Sequence, residues 1–317
     1  MQYKTDKAPS GVGVVKIKSP ATVANLVCGF DILGLALNDP YDTMTLVLKD
    51  EPGIIITHTD LYDLPTDPLK NICGVALQAM INATGFKKGF DLVVHKHIKP
   101  GSGIGSSAAS AAGVVVAANE LMQTHFSKKQ LVDFAMEGEV LASGARHADN
   151  IAPCIYGGIT LIRDTATLDI ISIPAPTLFV TIVHPQIEIK TSYAREILPT
   201  EVPLKSAVKQ WANVAGLIAG FQQNDYDLIS RSLEDIIVEP VRSKLIPGFD
   251  EVKTKCKEAG VLGGGISGSG PSIFMLSKDK KEADVAAEIM KDVYRKIGID
   301  FKTYVSTVNT NGVTITN

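Results

Sequence analysis

The stretch PGSGIGSSAAS, residues 100–110, places three glycines and two adjacent serines directly after a strand-like run and directly before a block of small residues. Glycine tolerates the left-handed backbone of a tight turn, and successive turn amides can converge on one point. A helix starting at the far end adds unsatisfied N–H groups and the positive end of its dipole. Strand, glycine turn and buried helix N-terminus form a unit around which the rest of the chain must be arranged. Its chemistry is that of a phosphate cradle. A plain strand-to-helix turn with a serine N-cap is the alternative, although the Gly/Ser run is denser than such a turn needs.

Alternating or β-branched runs predict strands over residues 12–19, 43–49, 54–58 and 90–98. Two helices follow, over 107–122 and 127–143, the second opened by a Ser-x-x-Gln capping box and closed by Gly144. Further strands are expected at 158–163 and 178–183, helices at 204–232 and 250–259, and a strand at 272–277. Residues 280–297 read as an amphipathic helix with Val285, Ile289, Val293 and Ile297 on one stripe and Gly298 as its stop. The tail VSTVNTNGVTIT reads as a hairpin turning at Asn311-Gly312. Without a regular βα repeat the fold class is α+β. A boundary near residue 170 gives domains 1–170 and 171–317.

A chain of 317 residues, 45% hydrophobic, buries a full core. Its net charge of -3, with no basic run longer than pairs such as Lys128-Lys129, argues against nucleic-acid and anionic-membrane partners. Cys28, Cys73, Cys154 and Cys256 form no CxxC pair, so neither a disulfide framework nor a zinc site is expected and a reducing, cytoplasmic setting fits. The polar start MQYKTDKAPSG lacks the apolar core of a signal peptide, and no apolar run is long enough to span a bilayer.

The Walker pattern fails because no Gly-Lys dipeptide occurs. Gly103, Gly105 and Ala108 fit a GxGxxA dinucleotide fingerprint, but the acidic residue required about twenty positions later is missing. A second glycine run, GGGISGSGPSIF at 263–274, precedes a strand, so it is read as a close backbone approach to a ligand or to the first loop. In the helix 127–143, Leu131, Phe134, Ala135, Leu141 and Ala142 define an apolar arc, and Glu139 falls inside it. A carboxylate turned inward needs a partner or a metal, and beside a phosphate loop a Mg²⁺ ligand is the natural reading. GARHADNIAP then packs Arg146, His147, Asp149 and Asn150 into a short connection. Asn25 and Asp31 stand among small and apolar residues in SPATVANLVCGFDILG and need partners or cap turns.

Together, SPATVANLVCGFDILG, PGSGIGSSAAS and GGGISGSGPSIFML resemble the three motifs of the GHMP kinases, in the same order, and the resemblance runs from about residue 12 to the end. GARHADNIAPCIYGG and EPVRSKLIPGF are similar to the homoserine branch. The resemblance implies an N-terminal domain like ribosomal protein S5 domain 2 and a ferredoxin-like C-terminal domain. It implies ATP- and Mg²⁺-dependent phosphorylation of L-homoserine, on the way to threonine. Pro100, Gly101, Ser102, Gly103, Ile104, Gly105, Ser106 and Ser107 would wrap the triphosphate, Ser107 with Glu139 would hold Mg²⁺, and Asn71 lies in the segment that reaches the adenine.

Substrate positions implied by the motifs are Asn25, Asp31, His147, Asp149, Arg195 and Arg242, with the arginines clamping a carboxylate and Asp31 receiving an ammonium. The resemblance implies Asp149, Asn150 and Arg195 as the catalytic positions. Mevalonate kinase carries an Asp as base in the segment where this chain has Asn150, and an amide cannot take a proton. Either Asp149 takes it or the hydroxyl attacks directly and the proton passes to the phosphate, the route preferred for a reaction that depends on positioning and charge. A homodimer through the C-terminal hairpin edge is a further expectation. Another small-alcohol kinase and a non-catalytic nucleotide-binding member of the fold are the rival readings.

Overall fold

In a computed structural model, which describes residues 13–316, β1 (Val14–Ala24) and the long β2 (Leu33–Lys49) form an antiparallel pair with a register shift between Pro20 and Thr22. β3 (Ile54–His58) and β4 (Gly89–His95) run parallel, joined through α1 (Ile72–Thr84). The glycine turn then feeds α2 (Ser106–Met122), buried along most of its length as its Ala and Val content requires, and α3 (Lys128–Ser143) packs beside it. Ser127 caps α3 in a complete capping box and Gly144 ends it in the left-handed conformation. α4 (Ile151–Tyr156), β5 (Ile159–Asp164) and β6 (Asp169–Ile173) complete this half.

β7 (Phe179–Pro185) opens a second sheet. After it come α5 (Thr191–Glu196), α6 (Leu204–Gln223), α7 (Tyr226–Ser232), α8 (Glu239–Arg242) and α9 (Phe249–Glu258). β8 (Gly263–Ile266), β9 (Ile273–Ser277), α10 (Lys280–Ile297) and β10 (Phe301–Thr307) follow, and β11 (Thr314–Thr316) returns to the first sheet beside β1. The second sheet has order β10-β7-β9-β8 with antiparallel neighbours. Taken as four strands in chain order this is 4-1-3-2, the ferredoxin-like arrangement. One core lies between the first sheet and α1–α4, another under α9 and α10. A third joins the halves, with Leu33, Leu35 and Leu37 against Val180, Ile182 and Phe274.

Several local expectations change. The helix expected over 204–232 breaks at Asn224, left-handed at φ 54°, after which Asp225 caps α7. The run at 263–274 is not all loop, because its first four residues form β8. There is no C-terminal hairpin: Asn309 Oδ1 accepts the amides of Asn311 and Gly312, so the turn exists, but β10 pairs with β7 and β11 with β1. The hairpin edge behind the dimer expectation is therefore absent. On α10 the buried face runs through Ala283, Ala286, Ala287, Met290, Val293 and Tyr294, while Val285 and Ile297 sit at its margin, 38% and 37% exposed, because a strict four-residue spacing drifts around a 3.6-residue helix. In α3, Leu141 is exposed. Residue 170 falls within β6, and Val12 and the polar start lie outside the described residues. Among the described residues no helix is long and apolar enough to cross a membrane.

Candidate active site

At the seam between the two sheets, segments from both halves enclose a cavity of about 320 Å³. One end belongs to the glycine turn. Gly101, Gly103 and Gly105 all adopt left-handed backbone, with φ of 73°, 83° and 71°. A Cβ on Gly103 would stand 2.5 Å from the Gly270 carbonyl, and one on Gly105 would overlap the Thr22 hydroxyl. The second glycine run therefore closes against the first, fastened by hydroxyls that donate to its carbonyls: Ser272 to Ser102 at 2.6 Å and Ser267 to Gly103 at 2.8 Å. The Ile104 carbonyl accepts the Thr22 amide at 3.1 Å.

With these carbonyls tied to protein donors, the amides of Gly103, Gly105, Ser106 and Ser107 meet no protein acceptor among the described residues. Pro100 and Ser102 complete the lining of this end, whereas Ile104 is fully buried and anchors the turn from behind. Orphan amides converging at a helix N-terminus fit a polyphosphate. Ser107 and Glu139, from α2 and α3, both line the cavity and offer oxygen atoms. Among the described residues no three His, Cys, Asp or Glu side chains form a metal cage of their own. A cation held here by Ser107 and Glu139 would need phosphate oxygens and water for the rest of its shell, a donor set that would suit Mg²⁺.

The other end is built on strained backbone. Asn25, Leu26 and Val27 follow one another at φ of 73°, 41° and 67°, and Asp31 sits at 62°. Such values are costly, most of all for β-branched Val27, and concentrate where surroundings impose them. Here the Asn25 amide donates to the Leu33 carbonyl at 2.7 Å, its Oδ1 accepts from the Asp31 amide at 3.1 Å, and its Nδ2 donates to Gly268 at 2.9 Å. Asp31 is thereby aimed at Arg195, with which it forms a bidentate pair at 2.8 and 3.0 Å. That bond holds the guanidinium charge more firmly than usual. Arg242, buried, donates through Nε to Ala194 and through Nη1 to Gly268, and burial lowers its affinity for the proton to about 10. Both guanidiniums lie over Phe30, at 5.3 and 5.0 Å from its ring centre.

Between the two ends lie Asp149 and Asn150, at the start of α4. Burial, reinforced by the charges of Asp31 and Glu139, pushes the Asp149 carboxyl up to about 7. The Asn150 amide oxygen accepts the Thr22 hydroxyl at 2.7 Å, so its N–H donors are the groups left for other partners. Burial holds His147 more readily neutral than usual.

Asn25, Asp31, Ser107, Glu139, His147, Asp149, Asn150, Arg195 and Arg242 are thus brought together with the turn. Asn71 is not among the lining residues. It caps α1, accepting the amides of Cys73 and Gly74 and donating to Pro65 at 2.6 Å, while its neighbours Leu64 and Ile72 form the apolar wall. Sequence reasoning missed Phe30, Thr191, Lys96 and the buried Asp42 that pairs with Lys96. The last two were findable, because Phe90, Leu92, Val94 and Lys96 share one face at period two, as do Asp42, Met44 and Leu46.

Residues 71–158 match the model of the GHMP kinases N terminal domain, and residues 217–296 that of the GHMP kinases C terminal. A homoserine kinase from Chlorobium phaeobacteroides is 46% identical over 287 residues, covering 86% of this chain and 90% of its own. The chain belongs to the GHMP kinase family. This GHMP kinase is also 44% identical to a homoserine kinase from Methanococcus vannielii, over 88% of this chain and 93% of that one. The crystal structure of homoserine kinase from Cytophaga hutchinsonii superimposes with a TM-score of 0.93 at 45% identity, covering 98% of this chain and 99% of that one. A Lactococcus lactis galactokinase shares the fold alone, with a TM-score of 0.72 at 16% identity over 95% of both chains.

Proposed function

We propose that this kinase transfers the γ-phosphoryl group of ATP to the side-chain hydroxyl of L-homoserine, giving O-phospho-L-homoserine. The observation that carries the reading is one cavity with an amide-rich turn at one end and a carboxylate, Asp31, facing two guanidiniums, Arg195 and Arg242, at the other. A substrate with adjacent ammonium and carboxylate groups matches the second end, and its side chain then points to the first.

Turn amides from Gly103 to Ser107 bind the triphosphate, with the adenine directed toward Leu64 and Ile72. Ser107 and Glu139 hold Mg²⁺, which when bound neutralises phosphate charge during transfer. Asn25 and Asp31 receive the ammonium, Arg195 and Arg242 the carboxylate, and His147 closes that wall as a neutral donor. Asn150 donates its N–H groups to the oxygens between the ends. Asp149, with a proton affinity near neutrality, takes the hydroxyl proton as the oxygen attacks, which favours it over direct passage to the phosphate. Four buried free thiols suit a reducing compartment, and we place the enzyme in the cytoplasm.

The test is ADP release with ATP and Mg²⁺, offering L-homoserine, mevalonate, galactose and L-serine separately to the wild type and to Glu139→Ala. Turnover is expected with L-homoserine, falling by roughly 100- to 1,000-fold in the variant. ATP binding without ADP release from any alcohol overturns the reading in favour of a nucleotide-binding protein.

A further inference from the structure

Lys96 and Asp42 form an ion pair with side chains 2% and 0% exposed, directly beneath the phosphate-binding turn. Thr43 pairs with His95 as the last step of the β2–β4 ladder, and Asp42 and Lys96 lie just beyond it. Burying two charges costs several kcal/mol that their attraction recovers only with further hydrogen bonds, and an apolar pair of like volume is often as stable. The bonds this pair makes point to what it does.

Asp42 Oδ1 accepts the amides of His97 and Ile98, at 2.8 and 2.9 Å, where the chain enters the turn. Its Oδ2 accepts from Lys96 Nζ, which also donates to the Ser106 carbonyl at 2.9 Å and the Ser110 hydroxyl at 2.8 Å, where the chain leaves it as α2. The Ser106 hydroxyl donates to the Ile98 carbonyl at 2.8 Å and closes the ring. Entrance and exit of the turn are thus tied through one buried pair, and all three ammonium donors are engaged. Lys96 and Ser110 both line the cavity, so a positive charge lies behind the helix turn that presents Ser107.

We propose that Lys96, oriented by Asp42, is a positioning residue for phosphoryl transfer: it fixes the first turn of α2 so that the turn amides and Ser107 are set for the ATP phosphates before ATP arrives. The proposal rests on the assignment of this turn to ATP and is independent of which alcohol accepts the phosphate. It places no new group on the reacting atoms. Its signature is selective weakening of the nucleotide end, since neither residue reaches the Arg195–Asp31 end.

The test compares Ser110→Ala, Lys96→Met and the neutral double variant Asp42→Asn with Lys96→Met, measuring thermal stability, ATP affinity without acceptor, and the separate KM values for ATP and L-homoserine. Ser110→Ala removes one anchor and no charge, so it is the variant that folds in any case. It is expected to weaken ATP binding by about 3- to 10-fold while leaving KM for L-homoserine within about twofold. Lys96→Met is expected to lose on the order of 10- to 100-fold in kcat/KM for ATP. The double variant is expected to regain stability over Lys96→Met without regaining ATP affinity.

Recovery of both in the double variant, or an unaltered ATP affinity in Ser110→Ala, overturns the proposal and leaves the pair a structural one. A wild type that binds ATP but does not turn over L-homoserine defeats the substrate reading instead, and the ATP-affinity arm still decides this one.

Discussion

Arg195 and Asp31, 164 residues apart, hold each other in a two-bond fork at 2.8 and 3.0 Å inside the cavity where the opposite charges of a zwitterion would bind. Arg195 and Asp31 thus neutralise each other before substrate arrives, with the charge of Arg242 beside them. An amino acid exchanges one internal pair for two external ones, whereas a ligand with only one charge opens the pair and leaves a partner unmatched. L-homoserine without its amine, 4-hydroxybutyrate, and without its carboxylate, 3-aminopropanol, should each fall by about 100-fold or more in kcat/KM. Asp31→Asn should raise KM for L-homoserine roughly 10- to 100-fold with KM for ATP unaltered. Steady-state kinetics with both substrates varied checks this, and equal use of 4-hydroxybutyrate would contradict it.

Asp149 makes the stability of the fold depend on pH. Burial raises its carboxyl from the ordinary 3.8 to about 7, so on raising the pH the unfolded chain ionises first. Stability from this group is therefore lost progressively between about pH 4 and pH 7 and is level above that, at a cost of about 1.4 kcal/mol for each pH unit crossed within that window. Asp149→Asn should remove it: the variant gains on the wild type as pH rises through this window, and the difference vanishes toward pH 4. Urea unfolding of both proteins across the window measures it, and a pH-independent difference would show that the carboxyl ionises at its ordinary value. In the enzyme, the acid limb of kcat/KM near neutrality should disappear with the carboxyl.

How far the site could be read in advance followed the range over which each signal acts. Glu139 stood out because one helix supplies both the apolar arc and the charge that violates it. Lys96 and Asp42 violate the strand period in the same way, yet each has an obvious meaning only once β2 and β4 are known to be neighbours. Asn311-Gly312 specifies a turn, and the turn formed. The partner of each flanking strand lies more than a hundred residues away, so the hairpin did not. Gly312 is instead required by close approach, since a Cβ there would stand 2.5 Å from the Cys154 carbonyl. The approach of the second glycine run to the first was legible in its density of glycine, whereas the Ser267 and Ser272 hydroxyls that fasten it, like the Arg195–Asp31 fork, join distant residues and have no local pattern to betray them.

Gly103 and Gly101 separate backbone strain from steric closure. Both have positive φ, but a Cβ on Gly101 meets nothing within 4 Å while one on Gly103 strikes the Gly270 and Ser267 carbonyls. Gly101→Ala should cost only the left-handed strain of about 1–2 kcal/mol and keep ATP affinity within a few fold. Gly103→Ala must in addition part the two glycine runs and so break the Ser267 and Ser272 bonds, for a cost of roughly 3 kcal/mol or more. ATP affinity should fall by at least about tenfold in that variant, as the turn amides lose their fixed positions. Calorimetric ATP titration beside thermal melts distinguishes the two, and equal losses at both positions would mean that the contact between the runs does not shape the cradle.

Asn71 tests whether the apolar wall is held by the chain behind it. Its carbonyl oxygen caps α1 on the amides of Cys73 and Gly74, and its amide donates to Pro65 and faces His58 Nε2 at 3.2 Å. The same side chain therefore stops the helix and tethers the connection that carries Leu64, with Ile72 beginning the helix next to it. Asn71→Ala removes both functions and should cost about 1–2 kcal/mol in stability. Because Leu64 and Ile72 line the cavity on segments apart from the acceptor residues, and are proposed to face the adenine, KM for ATP should rise about 3- to 10-fold and KM for L-homoserine should not move. A loss of stability with an unaltered KM for ATP would confine Asn71 to the helix cap and turn the search for the adenine contacts to another part of the wall.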